Sequence, residues 1–293
     1  MGRTVDGLER FLSENRHVIL VALTKVRGSS PRETGTQMFV SAGRAWGTIG
    51  GGQLEFRAVE AARAMLRDGH LSRVLDLPLG PEIGQCCGGR VVVSLKRMRA
   101  SDRRTALSRA DNEAASRPHV YVMGAGHVGR ALADLMQHCP VRCILVDPRP
   151  EEVALCEAAV ETRISAIPEV DVMTAPKGSA FIVLTHDHGL DFLIAAAALE
   201  RGDAAYVGMI GSATKRVKMR NWMREHGNAH AFDRLVCPIG ANGSRDKRPS
   251  VIAAFVVAEV MATLTAKAAA AVPHRPSRMP ETGGGAGPAE ARA

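Results

Sequence analysis

Gly124-Ala125-Gly126-His127-Val128-Gly129 is the stretch that decides the fold of the second half of this chain. It follows an apolar run at residues 119–123 and precedes an amphipathic segment, which predicts a strand, a tight glycine turn and a helix. Glycine permits positive φ and lets a phosphate approach the N–H groups of a helix N-terminus. The predicted unit therefore binds a phosphate or a nucleotide through Gly124, Gly126 and Gly129, or uses these glycines only to pack the helix on the sheet.

A second apolar run supports the nucleotide interpretation. Residues 143–146 end in Asp147, which lies about 20 residues beyond the glycines, where the dinucleotide-binding fingerprint has an acid that binds the ribose. The two runs and the helix between them predict a Rossmann-like βαβ unit. An NAD(P) cofactor is one ligand that such a unit would bind.

Length and composition indicate a soluble globular protein of about two domains. The chain has 293 residues, of which 46% are hydrophobic and 23% are charged. Its net charge is +8, but only 4% of its residues are aromatic, which leaves few stacking surfaces for single-stranded nucleic acid. An acidic small ligand or an acidic protein partner therefore fits the charge better than nucleic acid does.

Targeting and redox signals point to the cytoplasm. The N-terminus lacks the apolar core of a signal peptide, and the six cysteines do not suggest a disulfide framework, so we expect a cytoplasmic protein with reduced thiols. Residues 251–272 are apolar and rich in alanine, but Glu259 and Lys267 interrupt them. We expect a buried helix of the second domain there and no membrane span.

The first half of the chain predicts a smaller N-terminal α/β domain of the α+β type. Apolar residues at helical spacing predict a helix over residues 4–15, which leads into a central strand over residues 18–26. Further strands are expected at residues 37–40, 45–49, 73–77 and 90–95, with a helix at residues 53–68. The expected organisation is an N-terminal domain at 1–97, a linker or exposed helix at 98–117, a Rossmann-like domain with a doubly wound parallel sheet at 118–272, and a disordered tail at 273–293.

Two stretches of the N-terminal domain are suited to anions. The loop at residues 27–35 holds Ser30 and Arg32, and hydroxyl groups beside guanidinium groups can clamp an anion, although such loops are often only turns. Gly50-Gly51-Gly52 precedes a helix whose first turn contains Gln53 and Glu55, which is a second anion-binding geometry. The alternative for the three glycines is a flexible joint.

Two loops of the C-terminal domain carry polar groups at the ends of predicted strands. Gly211, Ser212 and Lys215 begin a basic helix, which again favours an anion. Thr185-His186-Asp187-His188 follows the apolar run 181–184, so His186 and His188 flank Asp187 at an edge that faces the ligand crevice in open α/β sheets. A metal pair or a general acid is conceivable there, and the alternative is a helix cap by Asp187 with solvated histidines.

Adjacent cysteines occur on a loop bounded by glycines. Gln85, Cys86 and Cys87 precede Gly88-Gly89, and backbone N–H groups of such a loop can lower the pKa of an exposed thiol. Sulfur transfer, metal contact and redox sensing are all chemically open. The remaining cysteines are interpreted as core residues: Cys139, Cys143, Cys156 and Cys237.

In this order, the motifs resemble those of the XdhC/CoxI family of xanthine dehydrogenase accessory proteins, and the resemblance extends to about residue 266. The segments that carry it are Gly28-Ser29-Ser30-Pro31-Arg32, the stretch 47–55, Gly84-Gln85-Cys86-Cys87-Gly88-Gly89, the turn at 124–129, Thr185-His186-Asp187-His188, Ile210-Gly211-Ser212 with Lys215-Arg216, and Cys237-Pro238-Ile239-Gly240. The segment 241–248 departs from the family pattern.

The resemblance implies a carrier of the molybdenum cofactor, molybdopterin, rather than a hydroxylase. Such a carrier would support the terminal sulfur of the cofactor with a cysteine desulfurase, deliver the cofactor to apo xanthine dehydrogenase, and form a homodimer. The glycine turns would hold its phosphate, Gln53 and Gln85 would make polar contacts, and Cys86 or Cys87 would contact the molybdenum or its sulfur. These roles come from the resemblance.

Two other functions remain open. An NAD(P)-dependent oxidoreductase would use the turn at 124–129 and Asp147, with His186 or His188 as the acid. A regulator that senses a nucleotide would use the same half without catalysis. Neither assigns a task to the Cys86-Cys87 loop.

Overall fold

The computed structural model describes residues 5–80, 88–227, 229–241, 243–244 and 246–270. The chain forms two compact units. Unit 1 comprises Met1–Pro118 with Met136–Arg142, and unit 2 comprises His119–Leu135 with Cys143–Ala293. The predictions for residues 81–87, with Gln85, Cys86 and Cys87, and for the tail at 273–293 lie outside the described residues.

Unit 1 is built on an antiparallel sheet with the order β3-β2-β1-β5-β4. The predicted central strand, β1, is central, and α2 packs its apolar face against the sheet with Leu54, Ala58 and Met65 buried. The elements are α1 (Val5–Glu14), β1 (Ile19–Arg27), β2 (Gln37–Val40), β3 (Ala45–Gly47), α2 (Gly52–Asp68), β4 (Ser72–Pro78), β5 (Arg90–Arg97) and α3 (Ala100–Ala115).

The segment predicted as a linker or exposed helix is α3, and it belongs to unit 1. Arg103 donates hydrogen bonds to the carbonyl oxygens of Leu12, Asn15 and Arg16, where α1 ends. Ala106 is buried in a small core together with Leu8, Phe11 and Leu12 of α1. These contacts make the helix part of the domain, because they satisfy carbonyl groups that the end of α1 leaves without partners.

Unit 2 is a parallel sheet with the order β11-β10-β9-β6-β7-β8. Its elements are β6 (His119–Met123), α4 (His127–Met136), β7 (Arg142–Asp147), α5 (Pro150–Ala154), β8 (Glu161–Ile164), α6 (Pro168–Thr174), β9 (Ala180–Val183), α7 (His188–Glu200), β10 (Tyr206–Met209), α8 (Ala213–His226), a 3₁₀ helix (Ala229–Arg234), β11 (Leu235–Val236) and α9 (Pro249–Ala270). The strand order reverses between β6 and β9, which is where such sheets bind ligands. The predicted fold class is confirmed.

Helix α9 differs from the buried helix that was expected. Only Ala253, Val256 and Val260 are buried along the part whose side chains are described, and Glu259 accepts a hydrogen bond from the Tyr206 hydroxyl. The segment Pro249–Ala266 has a mean hydropathy of 1.8 and is long enough to cross a membrane, the one such helix among the described residues. Length and composition alone do not establish a span, because core helices of soluble proteins have the same properties.

Candidate functional site

The carboxyl ends of β6, β9 and β10 carry the predicted site residues of unit 2. The glycine turn follows β6, the loop at 185–187 follows β9, and Gly211-Ser212 follows β10. Because β9 pairs with both β6 and β10 in parallel, these three loops lie along one edge of the sheet. We call this the carboxyl edge.

The three glycines of the turn have different local roles. Gly124 has φ of +128°, and a Cβ there would lie 2.4 Å from the Leu184 carbonyl oxygen. A Cβ on Gly129 would lie 1.9 Å from the Gly124 carbonyl oxygen, whereas a Cβ on Gly126 would meet nothing within 4 Å. Packing therefore requires Gly124 and Gly129, and Gly126 is the position that leaves open space for a ligand. Phosphate binding by the turn stays a prediction.

Both carboxylate oxygens of Asp147 accept hydrogen bonds from within the chain. Its buried carboxylate accepts hydrogen bonds from the Ala125 N–H (2.7 Å) and from the Arg149 N–H, Nε and Nη2 (2.9 Å each). Burial alone would raise the pKa of Asp147, but the hydrogen bonds from Arg149 and Ala125 outweigh it and lower that pKa. Ribose binding stays a prediction, and it would require Asp147 to release some of these bonds.

Asp147→Asn should destabilise the protein by about 2 kcal/mol at pH 7, because it removes the charge that strengthens the hydrogen bonds from Ala125 and from Arg149, whose side chain is 29% exposed. The folded-state pKa lies below the unfolded value of about 3.9, so the contribution is fully present above that value and is lost as the pH falls through the folded-state pKa. Urea unfolding of both proteins should therefore show a difference that narrows below about pH 4.

The control for this substitution is Asp76→Asn, which removes one partner of an exposed pair with Arg90 and should have little effect. Equal stability of Asp147→Asn and wild type at pH 7 would contradict the assignment of Asp147 as a structural anchor of the turn.

Asp187 caps helix α7. Its side chain accepts hydrogen bonds from the N–H groups of Gly189 (2.6 Å) and Leu190 (3.1 Å), which lower the pKa of Asp187. His186 and His188 are exposed. The helix-cap alternative is confirmed, and the described residues contain no group of three histidine, cysteine or acidic side chains placed to hold a metal ion. A general-acid or cofactor-binding role for this loop stays a prediction.

A buried ion pair joins the first turns of helices α7 and α8. Asp191 has a fully buried side chain, and the side chain of Lys215 is 11% exposed and donates from Nζ to the Asp191 carboxylate. Thr185 donates to the same carboxylate from its N–H (2.8 Å) and its hydroxyl (2.7 Å). Lys215 is thereby held in one position at the carboxyl edge.

A cavity of about 440 Å³ opens beside this pair. Ser212 caps α8 by accepting the Lys215 N–H (3.3 Å), whereas the N–H groups of Ala213 and Thr214 have no partner in the described part of the chain. Free N–H groups at a helix N-terminus favour an anion. The lining consists of Thr185, His188, Phe192, Ile210, Gly211, Ser212, Thr214, Lys215 and Lys218.

Sequence reasoning found part of this cavity and missed part. It singled out Gly211, Ser212, Lys215 and the loop Thr185-His186-Asp187-His188, but not Lys218 and not Asp191, which pairs with Lys215. A signal was available for Lys218, since it lies three residues after Lys215 and shares its helix face. None was available for Asp191, because its partner is 24 residues away.

In unit 1, three motifs that are distant in sequence meet in space. A Cβ on Gly89 would lie 2.0 Å from the Ser29 carbonyl oxygen, and a Cβ on Gly50 would lie 2.7 Å from Pro31 Cγ. A Cβ on Gly28 would likewise lie 3.2 Å from the Gly89 Cα. We call this group, formed by residues 28–32, 48–52 and 88–89, the glycine-loop cluster. The Cys86-Cys87 pair precedes Gly88 directly in sequence and lies outside the described residues.

The anion position at the three glycines is filled by the chain itself. Glu55 accepts hydrogen bonds from the N–H groups of Ile49 and Gly51 (3.1 Å each) and from the Thr48 hydroxyl. The Gly50 N–H donates to Thr48 Oγ1 (3.0 Å). An external phosphate would have to displace the Glu55 carboxylate, and cofactor binding by Gly50, Gly51, Gly52 and Glu55 stays a prediction.

The other predicted residues of unit 1 are at the surface. Gln53 and Arg32 are exposed, and Ser30 Oγ donates to the Arg32 carbonyl oxygen (2.9 Å), which stabilises the turn. The loop therefore forms the turn that was the alternative to an anion clamp, and the exposed Arg32 side chain can still contact a ligand.

The described cysteines are half-buried or buried. Cys143 and Cys237 are buried, whereas Cys139 and Cys156 are half-buried. Burial raises the pKa of the Cys237 thiol, and Arg216 and Lys215 oppose this effect only in part. Such a thiol behaves as a core residue, as expected for Cys237.

Comparison with known proteins places the chain in a family. A family model described as the XdhC Rossmann domain matches residues 120–260, and a model described as the XdhC and CoxI family matches residues 11–76. The uncharacterised protein YqeB of Escherichia coli (strain K12) is 25% identical over 269 residues, which cover 85% of this chain and 44% of YqeB. The chain thus spans less than half the length of this curated relative.

A solved structure shares the fold. The crystal structure of a Bacillus halodurans protein described as a xanthine dehydrogenase has a TM-score of 0.76 and 17% sequence identity, with 96% of this chain and 98% of that chain covered. The two family models match in order, one in each half of the chain, and together they cover most of it. The chain therefore belongs to the XdhC and CoxI family.

Proposed function

We propose that this chain binds the molybdenum cofactor and takes part in the maturation of a molybdenum hydroxylase of the xanthine dehydrogenase type. Membership of the XdhC and CoxI family supports this role. The observation that carries the proposal is the cavity at the carboxyl edge of unit 2, because its donors suit the phosphate of a pterin cofactor. When bound, the cofactor supplies the molybdenum centre that the client enzyme uses.

The donor set of this cavity fits a phosphate. Lys215 is held by Asp191, and Lys218 adds an exposed ammonium group. Helix α8 begins at Ala213, and the N–H groups of Ala213 and Thr214 have no partner among the described residues. Ammonium groups and helix N-termini bind phosphate oxygens, and a lysine that is already ordered loses little side-chain entropy on binding. These residues would bind and orient the phosphate.

We propose that the loop with Cys86 and Cys87 contacts the molybdenum of the cofactor or its terminal sulfur. Thiolates are suitable ligands for soft metal centres and can accept or protect transferred sulfur. We propose that a cysteine desulfurase provides this sulfur and that the apo hydroxylase receives the cofactor from this chain. The glycine-loop cluster supports the assignment, because it joins Gly88-Gly89 to the loop that contains Ser30 and Arg32.

Cys86→Ala or Cys87→Ala, whichever removes the cysteine that handles the sulfur, should lower the activation of apo hydroxylase by the cofactor-loaded protein by about tenfold or more. Molybdenum and pterin contents of the purified protein are measured alongside, since they separate cofactor retention from sulfuration. The matched control is Cys156→Ala, a half-buried cysteine elsewhere. If both loop variants retain and deliver the cofactor like wild type, the sulfur-handling role is wrong.

An NAD(P)-binding function is the second candidate, because the turn at 124–129 has the glycine geometry of dinucleotide sites. The bonds that Asp147 makes to Ala125 and Arg149 oppose it, because they occupy the carboxylate that a ribose would need. A calorimetric titration with NAD(H) and NADP(H) decides between the candidates. Tight binding with turnover, in a protein that carries no pterin, would favour the oxidoreductase.

A further inference from the structure

Unit 1 contains a second cavity, which the maturation role does not use. Its volume is about 520 Å³, which is within the range of small-molecule sites. It lies between the loop that joins β1 to β2 and helix α3, with the aromatic ring of Trp46 on one wall. The polar side chains that line it include Arg32, Glu33, Gln37, Arg109 and Glu113.

The loop that forms one wall is held in place. The Gly35 N–H donates to the Leu23 carbonyl oxygen (2.7 Å), and the Leu23 N–H donates to the Thr36 carbonyl oxygen (3.0 Å). Thr36 also donates from its hydroxyl to the Glu33 carbonyl oxygen (2.8 Å). The backbone that presents Arg32 and Glu33 is therefore ordered before any ligand arrives.

The opposite wall presents an oriented guanidinium group. Arg109 donates from Nε to Glu113 (2.8 Å) and from Nη2 to the Gly35 carbonyl oxygen (3.1 Å), and its Nη1 has no partner in the described part of unit 1. A guanidinium group held in this way binds an anionic or planar group with little further loss of entropy.

Arg32 and Glu33 place one positive and one negative side chain in the wall of the cavity. The side chains of Arg32 and Glu33 make no hydrogen bond or ion pair with any described residue, and both line the cavity. A carboxylate accepts the N–H groups on the edge of an amino-substituted heterocycle, and a guanidinium group binds a phosphate or carboxylate. Trp46, which packs against Phe39 at 5.7 Å between ring centroids, provides a surface for stacking.

We infer that this cavity binds a planar nitrogen heterocycle that carries an anionic group, as pterins and purine nucleotides do. Arg109 and Arg32 bind the anionic group, Glu33 accepts from the N–H edge of the ring, and Trp46 stacks on its face. The inference is independent of the phosphate site proposed at the carboxyl edge, because all these residues belong to unit 1. Arg32 is the residue that this cavity shares with the glycine-loop cluster.

The test uses the full chain with Trp222→Phe, which leaves Trp46 as the single tryptophan. Calorimetric titrations with GMP and with pterin-6-carboxylate show whether the cavity binds a purine nucleotide or a pterin. In the GMP titration the emission of Trp46 is also measured, because GMP does not absorb at the wavelength of that emission. One of the two ligands should bind at about one site per chain, and Arg109→Met and Glu33→Gln should each weaken it by about tenfold. Arg104→Met, an exposed change on the same helix, should leave this affinity unchanged.

Three results would overturn the inference. The first is no binding of either heterocycle at about 1 mM, a concentration that corresponds to about −4 kcal/mol, in calorimetric titrations at two temperatures. The second is binding whose affinity is the same in Arg109→Met and Glu33→Gln as in the parent, with both variants folded by circular dichroism. The third is competition by inorganic phosphate alone at equal affinity, which would make the cavity a simple anion site.

Discussion

Gly129→Ala should destabilise unit 2 by more than about 3 kcal/mol, although the same substitution stabilises most helices. Gly129 lies in the first turn of α4, where replacing glycine by alanine ordinarily gains up to about 1 kcal/mol. Here the added Cβ would lie 1.9 Å from the Gly124 carbonyl oxygen and within 3.2 Å of Leu184 Cδ1. The nearest atom belongs to the backbone, so a rotamer change cannot relieve the overlap.

The consequence extends beyond α4. The Gly124 carbonyl belongs to the turn that places Ala125 N–H on Asp147, and a Cβ on Gly124 would itself lie 2.4 Å from the Leu184 carbonyl oxygen. Moving the turn to accommodate Ala at position 129 therefore disturbs both β7 and the loop after β9. Against a total stability of about 5–15 kcal/mol, thermal unfolding should show a midpoint lower by roughly 6–12 °C.

Gly126→Ala is the matched control, because a Cβ there meets nothing within 4 Å and the residue does not have positive φ. Its cost should stay within about 1 kcal/mol, the difference between glycine and alanine before a helix. If the turn binds a phosphate, Gly126→Ala should nevertheless weaken ligand binding. Equal unfolding midpoints for Gly129→Ala and Gly126→Ala would show that the packing account of this turn is wrong.

The sequence predicted those parts of the fold that depend on local pattern. The β6–turn–α4–β7 unit follows from apolar spacing and glycines, and β1 was expected as a central strand because it is apolar along its first half. Helix α3 was expected as a linker or an exposed helix, and its attachment to α1 was not predicted, because it depends on Arg103 reaching carbonyl groups of Leu12, Asn15 and Arg16, which are 87 to 91 residues away in the sequence. No local pattern carries that information.

The candidate sites show a second limit of sequence reasoning. Glycine-rich helix starts were expected to hold external anions, but at the start of α2 the Glu55 carboxylate accepts the N–H groups of Ile49 and Gly51. A carboxylate within the first turn and a phosphate from solution satisfy the same N–H groups, so the motif cannot distinguish them. At α8 the hydroxyl of Ser212 accepts one N–H and leaves two others without a partner among the described residues.

Lys215→Met should cost about 3–5 kcal/mol in the free energy of unfolding, since it leaves the buried Asp191 carboxylate without its cation. Thr185 would still donate two hydrogen bonds to that carboxylate, but neutral donors do not compensate a buried charge. Adding Asp191→Asn to Lys215→Met should recover part of the loss, because the second change removes the uncompensated charge. Urea unfolding of the two single variants and the double variant measures this coupling.

Lys218→Met separates ligand binding from stability at the same cavity. Lys218 is exposed and makes no ion pair with the described residues, so its replacement should leave the unfolding midpoint unchanged. Its ammonium group lines the cavity beside Lys215, and the loss of one phosphate contact should weaken cofactor binding by about tenfold. The measurement is the pterin and molybdenum content of the purified protein over a range of phosphate concentrations. If Lys218→Met retains as much cofactor as wild type, the phosphate does not bind in this cavity. If Lys215→Met unfolds at the same urea concentration as wild type, Asp191 does not hold Lys215 in the way described.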